Sequence, residues 1–148
     1  MEFLAENKKA FFNYEMLEKF NAGIELLGLE VKSLKVKRGT LDGAYVSARG
    51  QEVFLLGANI PPYQPQNTPA SYEPTRPRRL LLTRKEINQL VGWENKKGLT
   101  IVPLSLYNAG RKIKVTIALA RGKKKFDKRE SIKKREASRE IERTLKNF

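Results

Sequence analysis

Neither cysteine nor histidine occurs among the 148 residues. Their absence removes thiolate nucleophiles, Cys/His zinc sites, the commonest general base and the usual neutral-pH switch. The candidate acids within the body, Glu30, Asp42, Glu52, Glu73, Glu86 and Glu94, form no recognisable paired-carboxylate or metal motif. A phosphate-cradling loop is missing as well, since Gly122-Lys123-Lys124 lacks the upstream glycine and the Ser/Thr of a P-loop. No catalytic residue, metal or cofactor is therefore expected, and a carboxylate-only hydrolase is disfavoured. No apolar run approaches the length of a membrane span, and Met1-Glu-Phe-Leu-Ala-Glu-Asn-Lys-Lys9 is no cationic lead into a signal core. The expectation is a soluble cytoplasmic protein.

What the chain has instead is positive charge, a formal +14. Residues 1–57 carry 8 basic and 8 acidic groups, residues 58–120 carry 10 and 3, and residues 121–148 carry 12 and 5. Such a field attracts nucleic acid or an anionic membrane surface, and charge alone does not separate them. At Gly110–Arg129 the pattern changes. Ile113, Val115, Ile117 and Leu119 alternate with Lys112, Lys114 and Thr116 as in a half-buried strand, and a basic block follows, broken by Phe126 and Asp127. The chain divides into a body, residues 1–121, and a basic tail, residues 122–148. The tail has too few hydrophobes for a core and is expected to be disordered when free and helical against a polyanion. Its narrow Ala137/Ile141/Leu145 stripe argues against a membrane anchor.

Within the body, Asn13 is placed to cap a short helix bearing Tyr14, Leu17 and Phe20. From Ala22 to Lys37 the apolar residues change phase, which predicts a long strand bent at Gly28, with Glu30 beside Lys32. Glu30 either pairs with that lysine or hydrogen-bonds an exposed base edge. Leu41-Asp-Gly43 signals a turn, and residues 44–48 and 51–56 a hairpin. Residues 57–79 hold six of the seven prolines together with Tyr63, Tyr72, Arg76, Arg78 and Arg79, and read as a long surface loop, functional or disordered. Thr83 and Glu86 form a capping box for a helix stopping at Gly92, with Ile87, Leu90 and Val91 facing the core. Leu99–Tyr107 is a further strand, with an edge or bulge at Pro103. The fold class is mainly β: an OB-like antiparallel β-barrel with short flanking α-helices and a basic C-terminal tail.

Six motifs, Asn7-Lys-Lys-Ala10, Ala22-Gly-Ile24, Gly28-Leu-Glu-Val-Lys-Ser-Leu34, Arg76-Pro-Arg-Arg-Leu-Leu-Leu82, Val102-Pro-Leu104 and Gly122-Lys-Lys-Lys-Phe-Asp-Lys-Arg129, occur in this order. In this the chain resembles the SmpB (SsrA-binding protein) family over nearly its full length. It departs at Asn59, where the family commonly has histidine. The resemblance implies a non-enzymatic protein whose partners are transfer-messenger RNA and the stalled ribosome, at the decoding centre of the small-subunit rRNA. Alanyl-tRNA synthetase and elongation factor Tu would be indirect partners through the charged RNA, and the protein would be a monomer. By motif, Glu30, Lys32 and Ser33, with Asn7, Lys8, Lys9, Arg76 and Arg78, would meet the tRNA-like domain. Lys123, Lys124, Asp127, Lys128 and Arg129 would meet the ribosome. A general structured-RNA binder is the alternative.

Overall fold

The computed structural model describes residues 2–123. Seven strands, β1 (Glu2–Glu6), β2 (Tyr14–Ile24), β3 (Tyr45–Arg49), β4 (Glu52–Leu56), β5 (Arg78–Leu81), β6 (Leu99–Ala109) and β7 (Lys112–Gly122), form one antiparallel sheet in the order β1-β6-β7-β2-β5-β4-β3. The sheet curls until β3 lies against β6. The outer strands β1 and β3 share no ladder, so the barrel is open among the described residues. This is the expected mainly β, OB-like class, and OB barrels are themselves partly open. The main core gathers Leu34, Leu41, Leu55, Ile60, Leu90, Leu106, Val115 and Ile117, each at most 1% exposed. The hairpin, the turn at Gly43 and the alternation of β7 follow their sequence patterns.

Two bulges explain irregular spacings. In β6 the register shifts between Pro103 and Ser105, so Ile101 before it and Leu106 after it both reach the main core. Pro103 thus marks a bulge in an interior strand. In β2 the shift between Met16 and Glu18 leaves Tyr14 and Met16 against a second cluster, with Ala10, Val102, Leu104, Ala118 and Ala120, while Ala22 and Ile24 enter the main one.

This corrects the first predicted helix. Residues 14–20 are strand, the 14/17/20 spacing arises from the bulge, and Leu17 is exposed. The helix lies just before it, α1 (Lys8–Asn13), and its cap is Asn7 rather than Asn13. The second correction is larger: the predicted bent strand ends at Ile24 and is followed by α2 (Gly28–Lys35). Its buried positions, Glu30, Ser33 and Leu34, follow helical spacing, but two of the three are polar.

The third helix, α3 (Arg84–Glu94), starts on the capping box: Thr83 Oγ1 accepts from Glu86 N–H at 3.2 Å, and Glu86 Oε1 accepts from Thr83 N–H at 3.0 Å. It continues through Gly92, because Trp93 stacks on Phe20 with centroids 5.2 Å apart. Leu90 is buried, and Ile87 and Trp93 pack on the main core. At its last residue, Glu94 accepts from Ser47 Oγ and from Ala48 N–H, tying the helix to the outer strand β3.

Candidate nucleic-acid interface

The proline-rich segment is fixed to the body through a buried carboxylate. Leu27 has no side-chain oxygen with which to cap α2, so Glu30 makes only the return half of a capping box, accepting from Leu27 N–H at 2.7 Å. Both its oxygens are then used again. Arg76 donates to each oxygen, Arg78 donates twice to Oε2, through Nε at 2.9 Å, and the Tyr72 hydroxyl donates to Oε2 at 3.1 Å. Glu30 and Arg78 are 0% exposed. Arg78 also donates through Nη1 to Ala58 O at 2.7 Å and through Nη2 to Pro74 O at 2.8 Å, while the single Tyr72 hydroxyl proton is shared between Glu30 Oε2 and Ile60 O, the latter at 2.7 Å.

One carboxylate therefore joins α2, the loop and β5. Such charge-assisted, forked contacts satisfy the groups that burial would otherwise leave unpaired. Burial raises the Glu30 pKa, but the hydrogen bonds from Arg76, Leu27 and Arg78, with the Arg78 charge, outweigh it and hold the carboxyl below its ordinary 4.5. Burial raises the Tyr72 hydroxyl above 10.0, and the Glu30 charge adds to this.

The expected RNA contacts fall into two groups. Lys8, Lys9 and Lys32 are exposed cations, Lys9 making only a loose 3.8 Å pair with Asp42. Asn7, Glu30, Ser33 and Arg78 are buried, and Arg76 is 29% exposed and engaged with Glu30. Glu30 is thus in a helix, not in a strand beside Lys32, and its oxygens face arginines rather than solvent. Asn7 is consumed by capping, accepting from Ala10 N–H at 3.3 Å and donating to Pro103 O at 2.9 Å. Asn59 is exposed and held by backbone bonds to Thr40. The loop of residues 57–79 is not purely surface, since Ala58, Ile60 and Arg78 are interior and Arg78 and Arg79 already belong to β5.

Ser33 Oγ is buried without a hydrogen-bond partner among the described residues. An unpaired hydroxyl costs about 1–3 kcal/mol by protein mutational scales. Ser33→Ala should therefore raise the melting temperature by a few degrees, as read by calorimetry; a lower one would show that the hydroxyl has a partner in solution.

Lys123 N–H donates to Asn13 O at 2.8 Å, so the described chain ends beside α1. A recess of about 540 Å3 lies there, lined by Asn7, Lys9, Asn13, Tyr14, Asp42 and Tyr45, among others. Lys124, Asp127, Lys128 and Arg129 lie outside the described residues, as does the rest of the tail with its Ala137/Ile141/Leu145 stripe.

The model of the SmpB protein family matches residues 4–147. The chain belongs to that family. Its relatives include the SsrA-binding proteins of Syntrophobacter fumaroxidans, 51% identical over 97% of this chain and 88% of that one, and of Thermosipho africanus, 48% identical over 99% and 98%. That of Elusimicrobium minutum is 48% identical over 97% and 90%. A solved SmpB structure described as "tmRNA-SmpB: a journey to the center of the bacterial ribosome" superposes with a TM-score of 0.68 at 41% identity, covering 81% of this chain and 84% of that one. The family match spans the basic tail as well as the sheet, so SmpB likeness is a property of the whole chain.

Proposed function

We propose that this protein binds the tRNA-like domain of transfer-messenger RNA and delivers it to stalled ribosomes for trans-translation. Membership of the SmpB family over residues 4–147 carries this reading. The geometry supplies its physical side. The Glu30 network is a positioning device: it orders a surface on which exposed lysines hold phosphates while shaped polar groups meet unpaired RNA. Lys8, Lys9 and Lys32 are the direct phosphate contacts in this scheme, and Glu30, Ser33, Asn7 and Arg78 act from beneath, with Arg76 between. The tail, with Lys123, Lys124, Asp127, Lys128 and Arg129, enters the vacant decoding centre and mRNA channel, where an intact message would compete with it for space.

The protein is on this reading a cytoplasmic monomer and a binding protein rather than an enzyme. Its indirect partners are alanyl-tRNA synthetase and elongation factor Tu. Among the described residues no helix is long and apolar enough to cross a membrane.

A competition titration of transfer-messenger RNA against ordinary tRNA and duplex RNA, over a salt series, tests the reading. The expected result is strong preference for the tRNA-like domain, with a salt slope below that implied by the +14 charge. Equal affinity for all three RNAs with a steep slope would replace it with a general basic RNA binder.

A further inference from the structure

The left-handed Lys37, at φ 60°, ends α2, with Lys37 N–H on Leu34 O at 2.8 Å and Arg38 N–H on Ser33 O at 3.2 Å. This brings Arg38 to the proline-rich loop. Its guanidinium lies 5.9 Å from the Tyr63 ring centroid, and its Nη1 donates to Tyr63 O at 3.3 Å. Beside the pair is a recess of about 500 Å3 lined by Arg38, Tyr63, Gln64, Pro65, Gln66 and Asn67. Asn67 Nδ2 donates to Gln64 Oε1 at 2.8 Å and Thr68 Oγ1 to Gln64 O at 2.7 Å, which hold the turn. Gln64, Gln66 and Asn67 line the recess, and the Gln66 amide, the Gln64 NH2 and Asn67 Oδ1 make no side-chain hydrogen bond among the described residues.

We propose that this recess binds one unpaired nucleotide of an RNA, its base stacking on the Tyr63/Arg38 pair and its edge reading the Gln and Asn amides. The proposal rests on the function above and names a site within it. Three observations favour a nucleotide. The recess falls in the size range of small-ligand sites, with room for a base and its sugar. An aromatic ring paired with a guanidinium presents a stacking face, and neighbouring amides present donors and acceptors together, as a base edge requires. No acid lines the recess, and Lys37, next to Arg38 in sequence, and Lys35, three residues before it, are exposed and without an ion pair among the described residues, available to meet phosphate. The site is also built in advance. Glu30 anchors α2, to whose C-terminal end Arg38 is bonded through Ser33 O, and the same Glu30 binds Tyr72 and Arg76 of the loop that carries Tyr63. Both walls are fixed by one buried carboxylate, so little ordering is left for the ligand to drive.

The unpaired nucleotide could come from the tRNA-like domain or from ribosomal RNA, and two binding arms separate these sources. Tyr63→Ala, Tyr63→Phe and Arg38→Ala, made in the full chain and checked for wild-type melting, are titrated with tRNA-like-domain RNA and with vacant ribosomes. The expected result is an affinity loss of about 5- to 100-fold for Tyr63→Ala in one arm, the range for a lost base stack. Tyr63→Phe should stay within about twofold, because the ring is kept, and Arg38→Ala should fall in the same arm as Tyr63→Ala. Unchanged affinity of Tyr63→Ala in both arms overturns the proposal. The function above then stands or falls separately, on whether the wild-type protein prefers the tRNA-like domain.

Discussion

Glu30→Ala should lower the stability of the body by about 3–5 kcal/mol, because it strands Arg78 as an uncompensated interior charge. Arg78 is 0% exposed and has no other acidic partner among the described residues. Against a domain stability of about 5–15 kcal/mol this is a large fraction, visible as a drop in melting temperature on the order of 10 °C or more. Glu30→Gln should be nearly as damaging, since the amide keeps the shape and loses the charge, and its NH2 would face guanidinium donors. If Glu30 met the tRNA-like domain directly, as its motif implies, substitution would leave the fold untouched, but the burial of Arg78 says otherwise. The pH dependence has a defined sign. The Glu30 carboxyl is held below 4.5 in the folded protein, so its contribution is fully present above that value and is lost as pH falls through the depressed folded value. The acid-side melting profile of Glu30→Gln should therefore be flatter than that of the wild type. Equal stability of wild type and both variants at pH 7 would remove the network from any structural role.

The second large effect concerns the tail. Ending the chain after Lys123 keeps the last ladder of β7 and the Lys123 bond to Asn13 O, while removing ten basic and five acidic residues. The truncated protein should melt like the full chain and keep affinity for the tRNA-like domain within about tenfold at physiological salt, since only the salt-dependent part of binding is reduced. Peptide tagging on stalled ribosomes should fall to background. Retained tagging, or near-complete loss of RNA binding, would end the division of labour between body and tail.

Much of the sheet was legible because its strands obey period two. Ile113, Val115, Ile117 and Leu119 are all buried, and the Thr83/Glu86 box marked the start of α3 to the residue. Two segments misled for opposite reasons. Residues 14–20 imitate a helix because a bulge displaces the strand's apolar positions. Residues 28–35 conceal one because the buried face carries a carboxylate and a hydroxyl, so the visible hydrophobes Leu29 and Val31 belong to the flanks. That same polar face is why the site was only partly readable. The motifs singled out Glu30, Arg76 and Arg78 across more than forty residues of sequence, but the residue types suggested separate RNA contacts. An interior cation and an interior anion each look like surface groups until they are known to face each other. Arg38 and Tyr63, 25 positions apart, left no periodic signal.

The strand order also has a kinetic consequence. Glu2 pairs with Asn108 and Tyr14 with Gly122, so the β1-β6-β7-β2 half of the sheet is assembled from the two ends of the body. Closing such long loops comes before the contacts that reward it, and places folding toward the slow end, on the order of milliseconds to seconds. Only the β3/β4 and β6/β7 hairpins and the helices can form early from local sequence. During synthesis β1 and most of β2 must wait until β6 and β7 have emerged. A protein that serves stalled ribosomes thereby completes its own sheet only after β7 has left the ribosome making it.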